Sequence, residues 1–519
     1  MTTDLGVQIS HSIPVNPDGW TGLLDLGGLV LPLLAGGEPR RVSPSEVLLP
    51  PGAVSLLHPF GDTDFFRHGW NSWSPSGWRC LSDAPLRIYG SEERLLTADD
   101  SRNDTPQAHS GSGVGALRSS DGRVLILGAL GLGAPRVGAT PSTLWGNVEV
   151  KAGEWFLGFG DEVAVFSRYA QLLADHLGSR DSHAGRVWCS WYSYYEGISE
   201  AIIEGCIDDL GDLPFDVIQL DDGWERAVGD WQANDKFAAG MATTAQRITA
   251  SGRRAGLWLA PFIALPSSVF ACERRDLLIH DGDGEPMIAG YNWGGPYYCL
   301  DTTHPEVQDH LRTVFKSVRD WGFSYLKLDF VYAAALEGRR YQQVHREQAY
   351  REAIALIREI MGEDAYLLGC GAPMLPSMGI FDGVRVGPDV AAFWENAERP
   401  GDPSGIGAKN AFEASIHRQW LRPVFETDPD VVFFRRRRSL LDDDQRQMLQ
   451  DLARVLGFLS TSDPMPWLSA EERAELRAWL LESPMIEPLG SLEFRIDGRI
   501  VDFNRWGTGY VPTAGTVAG

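Results

Sequence analysis

From Arg186 to Ser462, short apolar runs alternate with longer amphipathic stretches, and this rhythm constrains the chain more than any other feature. The runs Val187 to Tyr192, Val217 to Asp222, Arg254 to Pro261, Tyr325 to Phe330, Tyr366 to Cys370, Gly383 to Val386, Val424 to Thr427 and Leu459 to Ser462 read as strands. Between them lie helical patterns such as Ser199 to Leu210, Pro305 to Trp321, Gln343 to Met361, Ala408 to Trp420 and Leu441 to Leu456. Strands apolar on both faces belong to parallel sheets covered by helices. Eight such βα units are the content of a (β/α)8 TIM barrel, which takes about 250 residues. The other arrangement, a doubly wound open sheet, finds no Gly-x-Gly-x-x-Gly after the first strand.

The flanks have a different rhythm. From Met1 to Asp181 short apolar pieces are broken by Gly, Pro, Asp and Ser, which predicts an N-terminal antiparallel β-sandwich domain over 1–181, closing with a helix from Glu162 to Leu177. The barrel then occupies 182–484. Residues 485–519 hold a short C-terminal β element, two alternating strands within Gly490 to Phe503, and a Gly/Thr/Ala-rich tail from Gly507.

The net charge of −24, from 70 acidic against 46 basic residues, would repel nucleic acid and anionic membrane surfaces and suits a neutral substrate. The basic cluster Arg435 to Arg438 follows an apolar run and reads as a solvated loop or a set of ion pairs. The six cysteines form no Cys-x-x-Cys pair, so neither a zinc ribbon nor a disulfide scaffold is indicated. Met1 to Gly19 lacks a basic segment leading into an apolar one, and nowhere do 18 apolar residues run together. A cytoplasmic location is the expectation. The 18 tryptophans are the kind of ring a sugar cleft stacks on pyranose faces, although most large aromatics simply fill cores.

In a barrel, polar residues at the carboxyl ends of the strands line the active site. The first strand ends at Trp191 and Tyr192, the second at Asp221-Asp222-Gly223-Trp224, the fourth at Lys327 and Asp329. The fifth delivers Cys370, the sixth Arg385 with Asp389 just beyond, and the seventh Asp428 and Asp430. Carboxylates from several sides of one mouth, with Lys, Arg and Trp between them, suit a polyhydroxylated ligand, whose hydroxyls donate to carboxylates and accept from cations.

The pair Asp329 and Asp389 is the sharpest hypothesis. Glycosidic cleavage needs one carboxylate at the anomeric carbon and one protonated carboxyl at the leaving oxygen, and a separation of roughly 5–5.5 Å gives retention. Lys327 lies two residues before Asp329, on the same strand face, where its ammonium would keep that carboxylate ionised. Asp389, after Gly387-Pro388, is expected in a more apolar setting that raises its pKa toward a general acid's. Blander roles compete: an Asp at a strand end often caps the next helix, Lys327 pairs with Asp329 and Arg385 with Asp389 or Asp382 structurally, Cys370 is a small buried residue, and Trp70 and Trp73 plug a domain interface.

Taken in order, Leu220-Asp-Asp-Gly-Trp224, Gly256-Leu-Trp-Leu-Ala-Pro261, Tyr297-Tyr-Cys-Leu-Asp301, Leu326-Lys-Leu-Asp329, Leu368-Gly-Cys-Gly-Ala-Pro373, Asp382-Gly-Val-Arg-Val-Gly-Pro-Asp389 and Asp428-Pro-Asp430 resemble the glycoside hydrolase family 36 α-galactosidases. The resemblance implies a retaining exo-α-galactosidase that works by double displacement, without metal or cofactor, on a small-molecule oligosaccharide or α-galactoside. Asp329 would be the nucleophile and Asp389 the acid/base. Asp221 and Asp222 would bind the axial 4-hydroxyl and the 6-hydroxyl, Lys327 and Arg385 the remaining ring hydroxyls. Trp191, Trp258, Cys370 and Trp70 would wall the site, with Trp224 beside them. A homo-oligomer is compatible with the resemblance. The chain departs from the family in lacking a tryptophan and an asparagine just before Asp428 and in its short C-terminal β element.

Other functions stay open at this point. On the same scaffold stand a related α-glycosidase, selective for N-acetylgalactosamine or another sugar, and a transglycosidase. From other classes come a divalent-metal barrel enzyme using Asp221, Asp329 and Asp389, and a non-catalytic sugar-binding protein. No His or Glu accompanies the carboxylates in these motifs, which weighs against the metal.

Overall fold

The computed structural model describes residues 19–90, 92–102 and 105–507. Residues 1–18 and most of the Gly/Thr/Ala-rich tail lie outside them. The first described element is a hairpin, Trp20–Leu26 against Leu29–Ala35. Gly27 and Gly28, at φ +62° and +95°, form a two-residue turn that needs left-handed backbone at both positions. This hairpin opens a six-stranded antiparallel sheet, and a second, seven-stranded antiparallel sheet accompanies it before residue 160. The helix Glu162–Leu177 follows, with Asp161 accepting the N–H of Ala164 as its N-cap.

The barrel strands are β1 (Arg186–Cys189), β2 (Val217–Leu220), β3 (Arg254–Leu259), β4 (Tyr325–Leu328), β5 (Tyr366–Gly369), β6 (Gly383–Arg385), β7 (Glu426–Asp428) and β8 (Leu459–Thr461). They pair in parallel in the order 7-6-5-4-3-2-1-8. A parallel bridge from Val432, just past β7, to Thr461 closes the ring. Every residue of β2, β4 and β5 is buried, which is why these strands read as apolar runs interrupted only by Gln219 and Lys327. The seventh strand begins two residues later and ends one residue later than expected. The first is shorter than expected, because Trp191–Tyr194 already forms a helical turn.

The helices show why the alternation was legible. In Pro305–Trp321 the buried residues Val307, Leu311, Val314, Phe315 and Val318 recur at helical spacing. His304 caps the start with Pro305 at the first position, and Gly322, at φ +100°, ends it. Asp443–Leu456 begins with a capping box between Asp442 and Gln445. The helix Met241–Ala250 was not anticipated: a run of Ala and Thr gives little periodicity, and only Met241, Thr244, Ala245 and Ile248 are buried. The C-terminal element is a three-stranded sheet rather than two strands, with Ile486–Pro488 added to Glu493–Ile496 and Arg499–Asp502. Of the basic cluster, Arg435 is buried and paired with Asp463 at 2.6 Å, and Arg436 pairs with Asp443 at 3.1 Å. Among the described residues no helix is long and apolar enough to cross a membrane.

Candidate active site

Beyond its last leucine, β4 delivers Asp329, which is buried and held from two sides. Trp258 Nε1, on β3, donates to Asp329 Oδ2 at 3.1 Å, and the Phe330 N–H donates to Oδ1 at 2.7 Å. Turning the Phe330 N–H onto its neighbour's carboxylate accompanies φ +52° at Phe330, a left-handed conformation rarely adopted by a bulky residue. Trp73, Trp293 and Tyr297 pack on the Phe330 ring with centroids 5.3, 5.3 and 5.4 Å away and hold it there. Burial pushes the Asp329 carboxyl up. The Lys327 charge pulls it down, Asp389's charge pushes it up, and the two N–H donors favour the anion.

Asp389 lies on the loop after β6. Its side chain is 31% exposed, and its Oδ1 accepts from Arg385 Nη2 at 3.1 Å. The expected apolar setting is therefore corrected to one dominated by a guanidinium. Asp382, the other partner considered for Arg385, instead pairs with Arg180 at 2.7 Å and with Arg358.

Lys327 also departs from expectation. Its Nζ donates to Asp221 Oδ2 at 2.9 Å, across the barrel from β4 to the end of β2, so Asp329 feels its charge without being its ion-pair partner. Asp221 Oδ2 further accepts from Gln219 Nε2 at 2.6 Å and Cys189 Sγ at 3.6 Å, and Oδ1 from the Asp222 N–H at 2.9 Å. Asp222 receives the indole N–H of Trp293 at 2.9 Å, while burial first and Glu225 second push its carboxyl up to about 9.

The aromatic candidates divide. Trp258 touches Asp329 directly. Trp191 is half-buried at the start of the turn after β1 and packs on Tyr195. Cys370 is buried near Asp329 and Asp389, and burial raises its thiol well above the ordinary range. Trp70 is buried, with Arg346 over its ring at 5.6 Å and its indole N–H unpartnered. Its loop, Gly69 to Trp73, leaves the N-terminal sheets and seats on the barrel mouth: the Gly371 N–H donates to Ser72 Oγ at 3.1 Å and the Met374 N–H to the Trp70 carbonyl at 2.9 Å. Arg418, fully buried, fastens the same loop, with Nη2 donating to the carbonyls of Asn71 and Ser74, each at 2.7 Å, and Nη1 to that of Val386 at 2.5 Å. Trp224 is a correction. It is fully buried, donates its indole N–H to the Trp258 carbonyl at 2.9 Å and packs on Trp231 and Trp321, so it supports β3 from behind.

Carboxylates that feel one another, two cations shared among them and tryptophans at the rim suit cleavage of a bond to a polyhydroxylated ring. A cavity of about 420 Å³ elsewhere, at the junction of the N-terminal sheets and the C-terminal element, contains none of these groups, so convergence of charge rather than volume marks the site. Among the described residues no three His, Cys, Asp or Glu side chains gather as a metal-binding group.

A family model described as Melibiase matches residues 166–363. The solved structure of an α-galactosidase from Thermus thermophilus, in complex with p-nitrophenyl α-D-galactopyranoside, superposes with a TM-score of 0.88; it is 43% identical and the match covers 94% of this chain and 100% of that one. The chain belongs to the melibiase family of α-galactosidases. Similarity to curated members of the melibiase group is more local. The probable α-galactosidase C of Aspergillus flavus is 26% identical over 240 residues, 39% of this chain and 30% of that protein. The A type blood α-D-galactosamine galactosaminidase of Flavonifractor plautii is 29% identical over 177 residues, 31% of this chain and 16% of that one. These matches span less than a third of the length of either curated relative.

Within this melibiase site, several contributors were not read from the sequence. Trp293 sits at the turn between Ile288–Asn292 and Gly295–Cys299, in a stretch that carried no legible code. An aromatic at the tip of a hairpin flanked by Asn292 and Gly294 was the available signal. Glu225, three residues after Asp222, and Gln219, two before Asp221, gave no signal beyond their neighbours.

Proposed function

We propose that the protein is a retaining exo-α-galactosidase with Asp329 as nucleophile and Asp389 as acid/base. The observation that carries this is the contrast between the two carboxyls: Asp329 is buried and oriented by Trp258 and Phe330, while Asp389 is partly exposed and near enough for its charge to act on Asp329. An oriented, buried oxygen suits attack on the anomeric carbon. A partly exposed one can reach first the leaving oxygen and then water.

In the first step an Asp329 oxygen forms a bond to the anomeric carbon as the glycosidic C–O bond breaks, and the Asp389 proton passes to the leaving oxygen. In the second, Asp389 takes a proton from water, whose oxygen displaces Asp329, and the anomeric configuration is retained. Asp222 and the Lys327–Asp221 pair would bind ring hydroxyls. Burial first and Glu225 second push the Asp222 carboxyl up, which favours the protonated form that can donate to a sugar oxygen. Trp70, Trp191 and Cys370 would wall the pocket. Aryl α-galactosides and stachyose are the proposed substrates, since Thermus thermophilus structures carry p-nitrophenyl α-D-galactopyranoside and stachyose.

The test is Asp329→Ala assayed on an aryl α-galactoside, together with NMR of the first-formed anomer from the unaltered enzyme. Loss of activity by several orders of magnitude and release of the α-anomer are expected. Activity near that of the unaltered enzyme, or the β-anomer first, would overturn the assignment.

A further inference from the structure

Asp430 has no place in the double displacement, yet its surroundings are among the most elaborate in the molecule. It is buried, follows β7 by two residues and adopts φ +88°, a left-handed backbone that Asp tolerates at a cost. Its Oδ2 accepts from Arg385 Nη2 at 2.7 Å, from the Val390 N–H at 2.9 Å and from the Tyr192 hydroxyl, and its Oδ1 accepts from the Val431 N–H at 2.8 Å. Two of those donors lead to Asp389. Arg385 Nη2 is the same nitrogen that donates to Asp389 Oδ1, and Val390 is the next residue in the chain.

We propose that Asp430, backed by Tyr192, is the positioning residue that fixes Asp389 and keeps its proton in place for leaving-group protonation. The proposal rests on the reading of Asp389 as acid/base. Its physical content is a competition for one guanidinium. With Asp430 ionised, the Arg385 charge is matched at 2.7 Å, with Asp428 a further 4.0 Å from Nε. Asp389, at 3.1 Å, then shares that guanidinium with a nearer carboxylate and does not hold it alone. The carboxylate of Asp329 opposes a second negative charge beside it. The other titratable groups facing this space are Lys327, held by Asp221, the phenol of Tyr192 and the thiol of Cys370, both kept neutral by burial.

Asp430 must be the anion for this to work. Burial lifts it to about 7, but its four contacts are all donors, which satisfy a carboxylate and leave no acceptor for a proton of its own. Through the cycle Asp430 neither gives nor takes a proton: the Asp389 proton goes to the leaving oxygen, and water later restores it.

The experiment is the pH dependence of kcat/KM for Asp430→Asn and Tyr192→Phe on α-galactosides whose leaving groups range from an acidic dinitrophenol to methanol. In Asp430→Asn the Arg385 charge falls more heavily on Asp389, with Asp428 the remaining carboxylate near the guanidinium, so the alkaline limb should move down by about one pH unit. The loss should be roughly a hundredfold or more on the methyl galactoside and under about tenfold on the dinitrophenyl one, because only the former needs the proton. Tyr192→Phe should shift the limb in the same direction and by less. An equal loss across leaving groups with an unmoved limb would overturn the proposal and leave Asp430 a structural residue. If Asp430→Asn fails to fold by circular dichroism, Tyr192→Phe decides, and an unmoved limb there also overturns it. A wild-type enzyme inactive on every α-galactoside would instead sink the assignment of function, and that outcome is known before any variant is made.

Discussion

Lys327 Nζ donates to Asp221 Oδ2 at 2.9 Å, and with side chains 8% and 2% exposed the two charges balance each other away from water. Removing one partner strands the other, which typically costs about 3–5 kcal/mol. Lys327→Met should therefore lower the melting temperature sharply, and Asp221→Asn with Lys327→Met should lose less than the two single changes summed. In Lys327→Met the pKa of Asp329 rises, so the acid limb of kcat/KM moves to higher pH. Differential scanning fluorimetry and a pH–rate profile measure both.

Trp258→Phe removes one N–H from Asp329, the proposed nucleophile, while keeping a ring in place. A hydrogen bond to a charged group is worth about 1.5–3 kcal/mol, so kcat/KM should fall roughly tenfold to a hundredfold with the fold intact. Steady-state kinetics beside a circular dichroism spectrum tests this. Trp224→Phe, behind β3, should instead register mainly in thermal stability.

Asp222 predicts a stability trend with pH. Its carboxyl is pushed up to about 9 in the folded chain, so between an unfolded carboxyl's value near 4 and about 9 the folded state holds a proton that the unfolded state lacks. That contribution is complete at low pH and is lost as pH rises through the folded value. Asp222→Asn, which cannot ionise, should gain in melting temperature relative to the unaltered protein as the pH is raised from 5 to 9. A flat difference across that range would contradict the shift.

Gly371→Ala should injure the site without touching a charged residue. Gly371 has φ +61°, and a Cβ there would come within 2.4 Å of the Trp73 ring. Left-handed strain in a non-glycine residue alone costs on the order of 1–3 kcal/mol. The ring must also shift from its place against Phe330, so a lower melting temperature should be accompanied by a lower kcat on aryl α-galactosides.

These cases show how far the sequence could be read. The strand run up to Asp329 was legible because a parallel strand is buried on both faces, so any charge within or just past it stands out against apolar neighbours. Which charge answers which was not legible. Lys327 lies two residues from Asp329 yet bonds Asp221, because the strand pleat aims its long side chain across the barrel, past the intervening β3. Trp293 and Glu225 escaped for a related reason: loop side chains acquire their partners only when separate βα units close together, and local spacing carries no record of that. The Gly69 to Trp73 loop was read as either plug or wall. Its seat on Gly371 makes it the first, and its Trp73 packing on Phe330, next to Asp329, brings it close to the second.

Arg418 carries a consequence for the protein as an evolutionary unit. Two of its three carbonyl partners belong to the loop from the N-terminal sheets and one to the segment after β6. A barrel cut away from residues before 160 would retain a buried guanidinium robbed of most of its acceptors, beside a mouth lacking Trp70 and Trp73. The catalytic barrel is thus not a transplantable module. Fusion, truncation or shuffling that separates it from its N-terminal sheets should yield aggregation rather than a smaller enzyme, and heating the intact chain should melt the two together.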